Sequence, residues 1–330
     1  MKAMMIRSHG GPEVFEMGEI QKPNLKEGHV LVKVKATSVN PVDYKIRKFG
    51  PAISPQLPAI LHGDVSGIIE EIHEKETFWK VGDEIFGCAG GVIGNGGALA
   101  EYMLVDSKLI AKKPKNISFE EAAALPLVSI TAWEGLFDKG KISAGDKILI
   151  TGGAGGVGHI AVQLAKWAGA RVISTATGES KKKLVLSLGA EAVADRNIES
   201  IRETAKRIFG TNEFDLGLDT AGGEGFQTAI QSVKIKGKAI TINGSGSFDL
   251  SVAHSKSLDL SIVFMLLPLL KGEGREYHGK ILTEISRLVE SGILKPILDS
   301  EIFDWKEIGK AHQKLEDGKA IGKIAVRIGN

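Results

Sequence analysis

The run Lys147-Ile-Leu-Ile-Thr151, followed by Gly153-Ala154-Gly155-Gly156-Val157-Gly158, constrains this chain more than any other feature. The first five residues read as a buried-type strand. From Val157 to Ala168, Ile160, Leu164 and Trp167 fall on one helical face. The pattern G-x-G-x-x-G is weak alone and gains weight because it leaves a strand and opens a helix. Its glycines allow a tight turn and close backbone approach to a pyrophosphate. The helix N-terminus adds unpaired N–H groups and the positive dipole end. A Gly-rich turn without a ligand would use the same residue types; the strand–loop–helix setting favours a dinucleotide.

Strands and helices go on alternating beyond this loop. Arg171–Thr175 reads as a strand, Lys181–Leu188 as a helix, Ile198–Phe209 as a helix and Phe214–Asp219 as a strand. Phe226–Val233 reads as a helix and Lys238–Asn243 as a strand. Such alternation predicts an α/β fold with a doubly wound parallel sheet. An NAD site usually carries Asp or Glu at the end of the second strand, on the ribose 2′-OH. Here that strand runs into Ala176-Thr177-Gly178, with no acid, and then Lys181, Lys182 and Lys183. Small polar residues and a cation suit a 2′-phosphate, so NADP is favoured over NAD. Glu179 argues the other way but sits past the strand end, and two of the three lysines suit a solvated helix face.

Proline divides the chain. Eight of its ten prolines lie at or before Pro126, and none falls between Leu127 and Leu267. Proline suits loops and edges, so a loop-rich first part gives way to regular structure near residue 120. In that first part Val30, Val32 and Val34 alternate with Leu31, Lys33 and Lys35, a half-buried strand pattern. Short apolar runs come next at Gly67–Ile72, Glu84–Phe86 and Tyr102–Val105, separated by Gly-rich turns, which reads as a compact barrel of short strands. Near the end, Ile281, Leu282, Ile285, Leu288 and Val289 form one helical stripe. Beyond it lie a strand at Ile297–Ile302, a helix from Trp305 and a strand at Lys323–Ile328. This tail lacks material for its own core and is expected to rejoin the first part.

The chain of 330 residues has a formal net charge of only +2, against a dedicated nucleic-acid binder. Its single cysteine, Cys88, excludes an internal disulfide and a Cys-rich zinc site and fits a reducing compartment, the cytoplasm. Met1–Gly11 has no apolar run of signal-peptide length. Leu260–Leu270 is too short to span a bilayer and reads as a buried core or interface segment.

Five motifs together resemble the medium-chain dehydrogenase/reductases of the zinc-independent quinone oxidoreductase branch. They are Asn40-Pro-Val-Asp-Tyr-Lys45, Val81-Gly-Asp-Glu-Ile-Phe-Gly87, Glu121-Ala-Ala-Ala-Leu-Pro126, Ser129-Ile-Thr-Ala-Trp133 and the Gly153–Gly158 loop. The Asn-Pro-Val-Asp-aromatic-Lys form looks most like the enone/alkenal reductases. The resemblance implies a GroES-like β-barrel-type catalytic domain over 1–120, a Rossmann NADP-binding domain over 121–260, a return to the catalytic domain over 261–330, and a cleft holding NADPH. It implies cofactor contacts from Asn40, Thr131, Gly153, Ala154, Gly155, Gly156, Val157, Gly158, Thr177, Lys181, Arg196, Asn243, Phe264 and Lys323. It also implies a homodimer through the edge of the Rossmann sheet.

Departures from the zinc alcohol dehydrogenases bear on the chemistry. The family's first ligand cysteine falls at Asn40, its ligand histidine at Gly63 and its third ligand near Leu127, and the four-cysteine structural loop is absent. His62 and Asp64 are two candidate ligands, where a catalytic zinc needs three and an open position. A packed or hydrogen-bonded His62 is expected, with no metal bound. Without a Lewis acid, hydride transfer to an alkene conjugated with a carbonyl is easier than plain alcohol oxidation. Asn40 is expected to orient the nicotinamide or donate to the carbonyl oxygen, and Tyr44, Lys45 or water to supply the proton. The expected activity is NADPH-dependent reduction of small enones, alkenals or quinones, with no nucleic-acid or membrane partner. Two other readings stand beside it: an enoyl-thioester reductase, and a cofactor-bound structural or regulatory protein.

Overall fold

A computed structural model describes residues 1–195 and 199–329. The chain forms two compact units, Met1–Leu127 with Leu266–Asn330, and Val128–Met265.

The first unit begins with an antiparallel pair, β1 (Lys2–Ile6) and β2 (Phe15–Glu19). Then come β3 (His29–Val39), α1 (Pro41–Phe49), β4 (Asp64–Ile72), β5 (Glu84–Cys88), β6 (Tyr102–Asp106), β7 (Ile110–Lys112) and α2 (Phe119–Ala123). Strand β3 is central, antiparallel to both β4 and β6. The expected alternation fails at Leu31, which is buried along with Val30 and Val32, so both faces of the strand are covered here. Helix α1 starts where Pro41 pre-sets the first helical turn and stops at Gly50, whose φ of 56° is left-handed. Its inner face holds Ile46 and also Asp43 and Arg47, both buried.

The second unit follows α3 (Pro126–Trp133) with β8 (Lys147–Thr151), α4 (Gly156–Trp167), β9 (Arg171–Thr175), α5 (Glu179–Leu188), β10 (Ala192–Ala194) and α6 (Ile201–Phe209). It continues with β11 (Phe214–Asp219), α7 (Gly225–Ser232), β12 (Val233–Thr241), α8 (Ser251–Lys256) and β13 (Asp259–Ile262). The six strands are parallel in the order β10-β9-β8-β11-β12-β13, so the winding direction reverses between β8 and β11. In open sheets of this kind ligands bind at the carboxyl ends beside that reversal. Leu149, Ile173, Phe209, Phe214, Phe226 and Ile230 pack on one face as a buried cluster. Trp167 departs from the expected buried stripe. It is 38% exposed and leans on Trp133 and Phe137 at the helix end.

The chain then returns to the first unit through α9 (Leu267–Lys271), α10 (Arg275–Glu290), β14 (Phe303–Asp304), α11 (Ile308–Glu316) and β15 (Ile324–Arg327). The stripe from Ile281 to Val289 is the buried face of α10. Strand β15 pairs antiparallel with the end of β3, with Ile324 opposite Val39. The expected strand at Ile297–Ile302 is absent. Only a bridge between Leu298 and Lys323 forms there, because the Asp299 side chain takes the N–H groups of Glu301 and Ile321 and competes with a ladder. Among the described residues, no helix is long and apolar enough to cross a membrane.

Candidate active site

In the second unit, β8 delivers the glycine loop to the start of α4. A Cβ on Gly153 would lie 2.2 Å from Ser174 Oγ, and one on Gly158 would lie 2.1 Å from the carbonyl oxygen of Gly152. These two positions need glycine so that strand, loop and helix close on each other. Gly155, by contrast, is exposed, and its nearest neighbour would be the Gly152 carbonyl oxygen at 3.3 Å. Gly155 caps α4 without any side-chain hydrogen bond, so Gly156, Val157 and Gly158 open the helix with no side chain on their N–H groups. Ala154 and Val157 are buried and hold the loop from beneath. A pyrophosphate fits such a surface: backbone approach is open at Gly155, and a helix N-terminus faces it.

The loop is tied to β9 by Gly152 N–H on Thr175 Oγ1 at 3.0 Å and Gly153 N–H on Thr175 O at 3.1 Å. Beyond β9, Thr177 is exposed and Gly178 starts α5. The three lysines separate. Lys181 is half-buried with no hydrogen bond or ion pair among the described residues, Lys182 pairs with Glu179 and Asp195, and Lys183 is exposed. Arg196 lies outside the described residues. Asn243, just past β12, gives its backbone N–H to Thr241 Oγ1. Thr131 is buried in α3. Phe264 follows the edge strand β13 and is 49% exposed.

Sequence reasoning missed Asp219 at the end of β11. Its carboxylate accepts from Thr151 Oγ1, Thr241 Oγ1 and the N–H groups of Ala221 and Gly222, fastening the ends of β8, β11 and β12. The signal was an acid closing an apolar strand beside the loop-bearing one.

In the first unit, Asn40 caps α1 and is 1% exposed. Its backbone N–H donates to Asp43 Oδ2 at 2.7 Å. Its Nδ2 donates to Asp64 Oδ2 at 2.7 Å, and its Oδ1 accepts from Lys323 Nζ at 2.5 Å. Lys323 is itself buried, donates to the carbonyl of Val39 at 3.0 Å and lies 3.7 Å from Asp64 Oδ2. Asp64 also accepts from Ser38 Oγ and from the N–H of Leu127. Burial pushes the Asp43 carboxyl up to about 7, against the pull of the Asn40 N–H. Burial lowers Lys323, while Asp64 and Asp43 hold it up. So Lys323 braces Asn40 from inside the unit. Tyr44 is half-buried with its phenol raised by burial, and Lys45 is exposed.

Residues 26–115 match the alcohol dehydrogenase GroES-like domain and residues 156–269 the zinc-binding dehydrogenase family. The 2-methylene-furan-3-one reductase of Solanum lycopersicum is 34% identical over 99% of this chain and 79% of its own length. The chloroplastic NADPH-dependent alkenal/one oxidoreductase of Arabidopsis thaliana is 34% identical over the same shares. Among solved structures, an alcohol dehydrogenase superfamily protein from Novosphingobium aromaticivorans superposes with a TM-score of 0.94 at 36% identity, covering 100% of both chains. Escherichia coli quinone oxidoreductase complexed with NADPH gives 0.87 at 26% identity, covering 99% of this chain and 100% of that one. The chain belongs to the quinone oxidoreductase branch of the medium-chain dehydrogenase/reductases. It is an oxidoreductase with the GroES-like and Rossmann folds of that family.

The family description includes zinc, and the residues here do not fit it. Asn40 spends its side-chain oxygen on Lys323, Gly63 has no side chain, and Leu127 offers only its N–H, to Asp64. Thr37 gives its hydroxyl hydrogen to the Asp64 carbonyl at 2.6 Å, so it accepts from His62 Nδ1 at 3.2 Å. His62 is pushed down to about 3 by burial, with Lys323 adding to this, so the ring is neutral. Its Nε2 therefore accepts from His312 Nε2–H at 2.8 Å. Both nitrogens of His62 are thus engaged, as expected of a hydrogen-bonded histidine. Among the described residues, no three His, Cys, Asp or Glu side chains are grouped to hold a metal ion. At two of the family's metal positions, Asn40 and Leu127, the groups present are hydrogen-bonded to Asp64.

Proposed function

We propose that the protein is an NADPH-dependent reductase that transfers hydride to small enones, alkenals or quinones without zinc. One observation carries the reading: a glycine cradle fit for a dinucleotide stands in the same chain as metal positions filled by Asn40, Gly63 and Leu127. The names of the two plant relatives support the substrate class and the cofactor. Bound NADPH supplies the hydride. The Gly153–Gly158 loop holds the pyrophosphate, Thr177, Lys181 and Arg196 serve the adenosine end, and Thr131, Asn243 and Phe264 complete the cofactor contacts. Asn40 cannot rotate freely, since Lys323 and Asp64 hold its two amide ends. Its remaining N–H is therefore held in a fixed direction, and we assign it to the nicotinamide amide or the substrate oxygen. An enolate delocalises the arriving charge, so such a donor suffices where a plain carbonyl would call for a Lewis acid. Proton delivery falls to Tyr44, Lys45 or water; burial raises the Tyr44 phenol above its ordinary value.

The test is regiochemical. With NADPH deuterated at the transferring C4 position and a small enone, the label should appear on the β-carbon with the carbonyl intact. An allylic alcohol labelled at the carbonyl carbon would refute the reading. Enoyl-CoA in the same assay separates a thioester reductase.

The exposed apolar side chains along β13 and beyond, Leu260, Ile262 and Phe264, line a sheet edge and support pairing with a second copy. A homodimer by light scattering that Ile262→Lys dissociates is the expected result. The single buried thiol suits a reducing cytoplasm.

A further inference from the structure

Dinucleotide sites that accept NAD place an acid on the ribose 2′-OH, about 20 residues beyond the glycine loop. Strand β9 ends without one. An acid reaches the same place from the neighbouring strand. Strand β10 runs parallel to β9 with Ala194 opposite Thr175, so Asp195 comes level with the residue after β9. Its Oδ2 lies 3.4 Å from the backbone N of Gly178, at the start of α5. Thr175 in turn accepts from Gly152 and Gly153 of the phosphate loop. The carboxylate is 7% exposed, so solvent screens it little. Left alone, it would repel a 2′-phosphate and welcome a 2′-hydroxyl.

It is not left alone. Lys182 Nζ lies 3.2 Å from Asp195 Oδ2 and 3.1 Å from Glu179 Oε1. Its side chain is only 16% exposed, turned into the protein rather than toward solvent. The neighbouring Lys181 carries no partner among the described residues. The two lysines therefore divide the work, one neutralising the local acid and the other left with its charge unspent.

We infer that Asp195 and Lys182 form a built-in selector for the adenosine 2′ position, in which Lys182 cancels an acid that would otherwise favour NADH. This rests on the NADPH reading above and goes beyond it, because it assigns Lys182 a positioning role exercised through Asp195, without contact to the cofactor. The rival is that Lys182 touches the phosphate directly. The two differ in whether the effect of Lys182 needs Asp195.

The experiment titrates NADPH and NADH separately into the wild type, Lys182→Met, Asp195→Asn and the double variant, following nicotinamide fluorescence. A unit charge unmasked near the phosphate should weaken NADPH binding to Lys182→Met by about ten- to a hundredfold. NADH should hold within about threefold or tighten, which also reports that the fold survives. Asp195→Asn should bind NADPH at least as tightly as wild type, and adding Lys182→Met to it should cost nothing further. Lys182→Arg should restore NADPH binding. An equal Lys182→Met penalty in the Asp195→Asn background means direct contact and overturns the inference, as does a parallel loss of NADH. Wild type that binds neither cofactor overturns the NADPH reading and the inference with it. Wild type that prefers NADPH, with no coupling between the two substitutions, overturns the inference alone.

Discussion

Replacing Asp43 by Asn probes the buried network that holds Asn40. Asp43 sits in the first turn of α1, is 2% exposed, and accepts the Asn40 N–H. Burial raises its carboxyl from 3.8 to about 7, with Asp64 adding to the rise and the Asn40 N–H and Lys323 opposing it. The folded chain then binds this proton more tightly than the unfolded chain does. The stability it contributes is complete below about pH 3.8 and is lost as pH rises through 7. About three pH units at 1.36 kcal/mol each give a swing of roughly 4 kcal/mol. Asparagine keeps an acceptor oxygen for the Asn40 N–H and cannot ionise. The assay is urea unfolding of both proteins from pH 4.5 to 8, reading the difference between them at each pH so that groups common to both cancel. That difference should move in favour of Asp43→Asn by about 3 kcal/mol across the range. Parallel curves would mean that Asp43 ionises like a surface carboxyl, and the account of the network would fall.

His62 carries the opposite sign. Its pKa falls from 6.5 to about 3 through burial, so its penalty is absent above 6.5 and grows as the unfolded chain takes up a proton on acidification. His62→Gln should flatten the acid limb of the stability profile by about 5 kcal/mol, and an unchanged limb would contradict this. Lys181→Ala should weaken NADPH by about 1–3 kcal/mol and leave NADH nearly untouched, since Lys181 is the half-buried lysine with no partner among the described residues. Equal losses for the two cofactors would count against the assignment. Lys323→Met should destabilise the protein by about 3–5 kcal/mol by leaving Asp64 and Asp43 without their cation. It should also lower kcat more than cofactor affinity, and an unchanged kcat in the folded variant would remove Lys323 from the positioning role.

The Rossmann half was legible because its signals are local. Strands β8, β9 and β11 begin and end where their apolar runs do, at Lys147–Thr151, Arg171–Thr175 and Phe214–Asp219. Strand β12 was not: it begins at Val233, five residues before the apolar run at Lys238, through Lys234, Ile235 and Lys236, which are exposed. Its register against β11 shifts between Phe214 and Leu216, and no periodicity reports such a shift. Leu260–Leu270 reads as one apolar run, yet Ile262 and Phe264 face outward while Val263 and Met265 are buried, an edge-strand alternation hidden by uniform hydrophobicity. The acid that we assign to the 2′ position was missed for a related reason. A search along β9 finds none, because Asp195 arrives from the adjacent strand.

The Asn40 network was beyond sequence reasoning in a deeper way. Asn40 and Lys323 are 283 residues apart, and nothing local in either segment announces the other. What joins them is register: once Ile324 pairs with Val39, the preceding Lys323 must fall beside Asn40. An ammonium there would be costly to bury without acceptors. Val39 and Asn40 supply them with a carbonyl and an amide oxygen, and the Asp64 carboxylate supplies a nearby charge. Each group in turn needs the others, since an Asn40 amide without Lys323 would leave a buried oxygen bare, and Asp64 without Asn40 would lose a donor. Two of the family's metal positions, Asn40 and Leu127, are thus tied into one network through Asp64, and a ligand restored at Asn40 would break hydrogen bonds before it built a metal site. Lys323, the residue that leads into β15, is therefore part of this network, which gives the C-terminal return to the first unit a chemical reason beyond burying its apolar face.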